Sequence, residues 1–154
     1  MKITNALLMG LMMAVAATAQ TAIKIDEFEN LNCDEYLGRM DVTFAEASKD
    51  KSSSLLMLIY EGKEPEYNAG KNRIEIVSSK FGSAEAKFRS IKKYMSYRKF
   101  PVKRASFING GFRERMTVEI WLIPSGAPLP KLSPTLTRMR YRKGGARGFC
   151  TDCC

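Results

Sequence analysis

The side chains best equipped for chemistry in this chain are four cysteines and sixteen carboxylates, and there is no histidine. Cys33 stands near the front, while Cys150, Cys153 and Cys154 fall within the last five residues. Cys150-Thr151-Asp152-Cys153 has the C-x-x-C spacing of a redox pair or of half a zinc site. It lies at the chain end and not at a helix start, where the helix dipole would stabilise a thiolate. Without histidine, a closed zinc site would need Cys33 and Cys154 as well. The other use of an even cysteine count is a disulfide framework. Bridging the neighbours Cys153 and Cys154 would close a strained ring, so the expected bond joins Cys33 to one of the tail cysteines. Such a bond closes a loop of more than 115 residues, which the loop-entropy argument values at about 4–5 kcal/mol.

The carboxylates offer general acid–base pairs at Asp26/Glu27 and Glu64/Glu66, a pattern that solvated surface neighbours also produce. No histidine is present to work as a base near neutral pH, and the sequence holds neither a G-x-S-x-G elbow nor a phosphate-cradling loop. The reading therefore leans away from an enzyme and names no catalytic residue, no metal site and no cofactor.

The first nineteen residues speak to location. Lys2 precedes an apolar run from Leu7 to Ala17, and Ala17-Thr18-Ala19 places small residues at the −3 and −1 positions before Gln20. This is the layout of a secretory signal, and the run is shorter than the roughly 20 residues of a membrane span. The expectation is an exported protein, periplasmic or extracellular, whose mature chain has no transmembrane span. The mature chain would comprise one domain over 20–124 and a Pro-rich, basic, Cys-containing tail over 125–154.

Charge is unevenly distributed. Residues 20–68 hold five Lys/Arg against eleven Asp/Glu, whereas residues 69–154 hold nineteen against five. Such a split yields either a basic face for an anionic polymer or a surface that neutralises itself.

Around these residues the elements read as follows. Ile23–Phe28 alternates apolar and polar positions like a half-buried strand. Asn32 is a helix cap with Glu35 three residues on, and Cys33, Leu37, Met40, Phe44 and Ala47 form an apolar stripe. Leu55–Tyr60 is a continuous apolar run suited to a central strand, and Glu61–Lys71 reads as a loop from its Gly, Pro and Asn content. Arg73–Val77 is either a short strand or the start of a helix. Ser83 can cap a second helix whose apolar side is Ala84, Phe88, Ile91 and Met95, and Pro101 ends it. Arg104–Ile108 reads as a strand, Asn109-Gly110-Gly111 as a turn, and Thr117–Ile123 as a strand with Val118, Ile120 and Leu122 on one face. Prolines 124, 128, 130 and 134 stiffen the following segment, and Thr135–Lys143 could add an edge strand. The predicted fold is an α+β two-layer sandwich, ordered β-α-β-α-β-β, with a mixed sheet of about four strands and two helices on one face.

Three segments carry a resemblance: Leu55–Gly62, the helix Ser83–Met95, and Val118-Glu119-Ile120. Together they resemble the C-terminal domain of the outer-membrane protein A family, a peptidoglycan-binding module, over about Ile23–Pro124. That family places a Gly-His-Thr-Asp element after the central strand and a paired arginine before the last one. Here the corresponding stretches read Glu61-Gly62-Lys63-Glu64 and Gly111-Phe112-Arg113-Glu114-Arg115, and Lys87 stands where the family usually has Arg. The chain is also similar to exported bacterial proteins without an assigned role, through Asp26-Glu27-Phe28 and Gly110-Gly111-Phe112-Arg113 ahead of a Trp strand.

The resemblance implies a non-catalytic envelope module that contacts peptidoglycan or another wall component. Its candidate ligand-binding residues are Glu61, Glu64, Arg113 and Arg115, because a carboxylate can pair with an ammonium group and an arginine can hold a carboxylate in two hydrogen bonds. The alternative is a basic surface for an anionic envelope polymer, carried by the helix Lys87–Lys99 with Tyr94 and Tyr97 and by Arg138, Arg140, Arg142, Lys143 and Arg147. No nucleic acid is expected as partner of an exported protein. A third reading is a module that binds another envelope protein through a sheet edge or the tail.

Overall fold

The computed structural model describes residues 20–29 and 31–150. The signal-like residues 1–19 and the cysteines Cys153 and Cys154 lie outside the described residues. Among the described residues no helix is long and apolar enough to cross a membrane.

The elements are β1 (Ile23–Phe28), α1 (Cys33–Lys49), β2 (Ser54–Asn68), β3 (Arg73–Ser78), α2 (Ser83–Tyr97), a 3-10 turn (Val102–Arg104), β4 (Ala105–Arg115) and β5 (Thr117–Ile123). They form one five-stranded mixed sheet with both helices on one face, an α+β fold of the predicted order with β3 as the added strand. β2 is central. Its residues Leu55–Tyr60 pair antiparallel with β5 on one side and parallel with β4 on the other, and β1 lies outside β5. A parallel pair needs a long crossover, which α2 supplies.

The strict period of two in β2 divides its apolar run between two layers. Leu55, Met57 and Ile59 join Met40, Phe44, Phe88, Ile91, Met95, Val118 and Ile120 in the core beneath the helices. Leu56, Leu58 and Tyr60 face the opposite side with Ile123 and Trp121, where the tail residue Ala127 packs on them. Asn32 caps α1 by accepting from the Glu35 amide at 2.9 Å, as its sequence position requires. The buried face of α1 is centred on Tyr36, Met40, Thr43, Phe44 and Ala47. The predicted stripe had Leu37 where Tyr36 lies deepest.

Four local expectations are corrected. Glu61–Lys71 is not a loop, because β2 continues to Asn68 and turns into β3. Pro65 is accommodated because beyond Lys63 this strand pairs with β3 alone, so a missing amide hydrogen disrupts no central ladder. Asn109-Gly110-Gly111 is not a turn but lies within β4, where Gly111 at φ 94° accompanies a bulge against β2. The change of direction comes at Met116, where the chain passes from the β4 side of β2 to the β5 side. Gly62 makes that passage possible, since a Cβ there would meet Arg113 O and Met116 N at 2.6 Å.

Gly82, not Ser83, is the N-cap residue of α2, at φ 78°. Thr135–Lys143 forms no edge strand. It makes isolated bridges at Phe112↔Leu136 and Lys80↔Arg142, and from there the chain returns to place Phe149 in the main core.

Candidate functional site

The four predicted ligand residues are held by the fold at separate places. Glu61, on the helix-facing side of β2, is 1% exposed. Its Oε1 accepts the Ala84 amide hydrogen at 2.9 Å, and the Tyr141 hydroxyl donates to its Oε2. Since Gly82 has no side chain to cap α2, a carboxylate from the neighbouring strand does so, favourably placed at the positive end of the helix. Burial, and then the hydrogen bond to Glu61, push the Tyr141 phenol upward.

Glu64 reaches Lys87 Nζ at 2.7 Å, and the same ammonium donates to Ser83 Oγ at 2.8 Å and faces the Phe149 ring at 5.5 Å. Lys87 is 3% exposed, although sequence periodicity assigned it to the basic outer surface of α2. Arg113 lies on the other face of the sheet, 3.6 Å from the Tyr60 ring centre. It donates to Glu119 and to Ser133 Oγ at 2.6 Å each. Burial disfavours ionised Glu119, yet donation from Arg113 and Trp121 outweighs this and holds the carboxyl below its usual range. Arg115 pairs with Glu29 at 3.2 Å. Glu61 and Glu64 thus flank the start of α2, while Arg113 is clamped under the tail.

Two neighbouring depressions flank the returning tail. The first, of about 560 Å³, includes Glu64, Glu66, Lys80, Lys87 and Arg142 in its lining. Most of its charges are matched, Glu64 to Lys87 and Glu66 to Arg142 and Lys80, which leaves Arg147 unpaired among the described residues. The hydrogen bond from Arg142, against some burial, keeps the Glu66 carboxyl low. Lys80 and Tyr141 escaped sequence reasoning because their partners Glu66 and Glu61 lie on β2 and share no motif with them.

The second depression, of about 660 Å³, lies along the packing line of α1, α2 and the tail. Tyr36, Leu37, Tyr94, Tyr97 and Phe149 give it an aromatic wall and floor, with Lys93 and Arg98 at its edge. The Tyr94 hydroxyl donates to Asp41 at 2.9 Å, and burial together with that carboxylate pushes the phenol up to about 12. A shallower basin shares Ser90 and Lys93 with this groove and adds Arg89 and Arg147. Arg89, Lys93 and Arg147 are exposed.

One covalent bond fixes this region. Cys33, at the start of α1, is joined to Cys150, with Cα atoms 5.2 Å apart and a separation of 117 in sequence. This is the expected pairing of Cys33 with a tail cysteine; both cysteines line the first depression and Cys150 also lines the second. Among the described residues, no group of three His, Cys, Asp or Glu side chains is placed to hold a metal ion. No family model, no curated protein and no solved structure matches the chain.

Proposed function

We propose that this chain is an exported, non-catalytic module of the cell envelope that binds an anionic polymer along the line where its tail crosses α2. The observation that carries the reading is the asymmetric use of charge. Asp26, Glu27, Glu29, Asp41, Glu46, Glu64, Glu66, Glu75 and Glu119 are engaged in ion pairs. Among the described residues Asp34, Glu35, Asp50, Glu85 and Glu114 are not; of these unpaired acids only Glu85 lies on α2, and the tail up to Cys150 holds no acid. Arg89, Lys92, Lys93 and Arg147 make no ion pair among the described residues, and Arg89, Lys93 and Arg147 line one basin. Unpaired like charges on one surface repel each other, and a polyanion relieves that repulsion while releasing its own counterions. A pocket assembled from Glu61, Glu64, Arg113 and Arg115 gives less support, because Glu61 and Arg113 spend their hydrogen-bonding capacity inside the fold.

The test is sedimentation of the oxidised protein with purified sacculi, and titration with inorganic polyphosphate, at low salt and at about 0.5 M, where screening is nearly complete within a few ångströms. Binding should weaken steeply with salt and disappear when Arg89, Lys93 and Arg147 are all replaced by Glu. Binding that ignores both salt and charge reversal, or no binding to either material, would reject the reading.

A further inference from the structure

The aromatic groove beside the basic basin has the character of a ligand site in its own right. Tyr97 is 75% exposed, and its ring lies parallel to that of Tyr94 within 25°, centres 6.0 Å apart. Beneath them Phe149 stacks on Tyr36 at 4.6 Å. Tyr36 is 1% exposed, and its hydroxyl is buried without a hydrogen-bond partner. That hydroxyl is closed to solvent, so Tyr36 contributes to the floor of the groove through its ring. Asp41, the partner of the lining residues Tyr94 and Arg98, is held by Arg98 at 2.7 Å and by Tyr94. Lys93 carries positive charge from this groove into the basin of Arg89 and Arg147. Asp34, one turn from Leu37 on α1, is the unpaired acid, among the described residues, on the opposite wall.

We propose that this groove takes a sugar ring of a carboxylated polysaccharide, with Tyr97 as the stacking platform and Lys93 and Arg147 pairing with carboxylates. The proposal rests on the reading of the basic line as a polyanion site and assigns the polymer's class. A pyranose presents C–H groups of slight positive charge along one face, which complement the negative face of a tyrosine ring. Its other edges carry hydroxyls and, in a uronic acid, a carboxylate. A polyphosphate would use the cations but has no ring for Tyr97. A nucleic acid could use both. However, the disulfide that borders the groove belongs to an oxidising compartment, where extracellular polysaccharides are the abundant ring-bearing polyanions.

The experiment titrates the full oxidised chain with an oligogalacturonate, with inorganic polyphosphate and with an oligodeoxythymidylate, for wild type and Tyr97→Ala. Tyr97 is exposed, so its replacement leaves the core intact. Tyr97→Ala should weaken oligogalacturonate binding about tenfold, the scale of one aromatic stacking contact, while polyphosphate affinity stays within about twofold because the charges are untouched. Wild-type binding of polyphosphate without oligogalacturonate, or equal effects of Tyr97→Ala on both, would overturn the groove and leave the basic surface standing. Oligodeoxythymidylate bound more tightly than the sugar, and lost in Tyr97→Ala, would overturn the saccharide in favour of nucleic acid. Failure of every probe to bind would overturn both readings together.

Discussion

The carboxylate of Glu61 in β2 accepts the backbone amide hydrogen of Ala84 in the first turn of α2, 2.9 Å away and shielded from water. This contact connects the central strand to the crossover helix at the one point where α2 lacks a local cap. Glu61→Ala leaves a buried amide and the Tyr141 hydroxyl without their acceptor, so it should cost about 3–6 kcal/mol, given roughly 1.5–3 kcal/mol for each of the two hydrogen bonds to a charged group. Glu61→Gln retains an acceptor for Ala84 and should cost less. Urea unfolding of the two variants checks the order, and equal losses would show that charge, and not the acceptor, is what α2 requires.

The Cys33–Cys150 bond closes nearly the whole domain into one loop, so its loss should lower stability by up to about 4–5 kcal/mol through greater unfolded-state entropy. Cys33→Ser should reproduce the effect of reductant on the melting temperature, and reductant should have no further effect on that variant. Peptide mapping under non-reducing conditions should recover Cys33 with Cys150. A melting temperature indifferent to reductant would mean that the tail is held by Phe149 and its neighbours alone.

The layer architecture was legible because it depends on periodicity. The alternation in Val118–Ile123, the unbroken run Leu55–Tyr60 and the Asn32 cap are local patterns with one physical reading each. What stayed hidden depends on contacts distant in sequence. Pro65 and Gly62 look like loop residues, and only the knowledge that β2 loses its β4 neighbour, and that another strand crosses over it, makes them strand residues. Lys87 appears to belong to a basic outer face, yet Glu64 and Phe149 cover it. The sequence reading offers Glu61 and Arg113 as ligand residues. Their partners Ala84, Tyr141, Glu119 and Ser133 show that these two side chains are occupied within the fold.

The Lys87–Glu64 pair is shielded more on the lysine side, with side chains 4% and 19% exposed. Lys87→Met strands Glu64 and the Ser83 hydroxyl, and should cost about 2–3 kcal/mol, below the range for breaking a fully buried pair because Glu64 retains some water. Adding Glu64→Leu should regain much of that loss, since the uncompensated charge is gone. A double-mutant cycle measures the coupling, and strictly additive losses would show that the pair contributes little.

Acid should weaken the protein through Glu119. Its carboxyl is held below the ordinary glutamate value of 4.5, with donation from Arg113 and Trp121 outweighing the effect of burial. In the folded state it therefore binds fewer protons than in the unfolded chain. The associated stability is fully present above pH 4.5 and is lost as pH falls through the lower folded value. Glu119→Gln removes this titration, so the gap in melting temperature between wild type and variant should shrink steadily below pH 4.5. Glu75, held at about 2 by donation from Asn68, Lys71 and Arg73, leaves the variant with some acid sensitivity of its own. A gap that stays constant down to pH 3 would show that Glu119 titrates alike in both states.

Gly148 decides how closely the tail approaches α2. A Cβ at this position would collide with Ser90 Oγ and meet the Ala86 carbonyl oxygen at 2.9 Å. The first contact is a side chain that can rotate, but the second is helix backbone that cannot yield without disturbing α2. Gly148→Ala should therefore lift the tail between Ala146 and Phe149 and cost about 1–3 kcal/mol, the usual range for overpacking. Phe149 stacks on Tyr36, and Cys150 bonds Cys33, so the displacement would loosen the floor of the aromatic groove and make the disulfide easier to reduce. Ser90→Gly combined with Gly148→Ala removes the side-chain part of the clash and leaves the Ala86 contact. Rescue should accordingly be partial in melting temperature and in the reductant concentration needed to open the bond. Full rescue would place the whole constraint on Ser90, and no rescue would place it on the helix backbone.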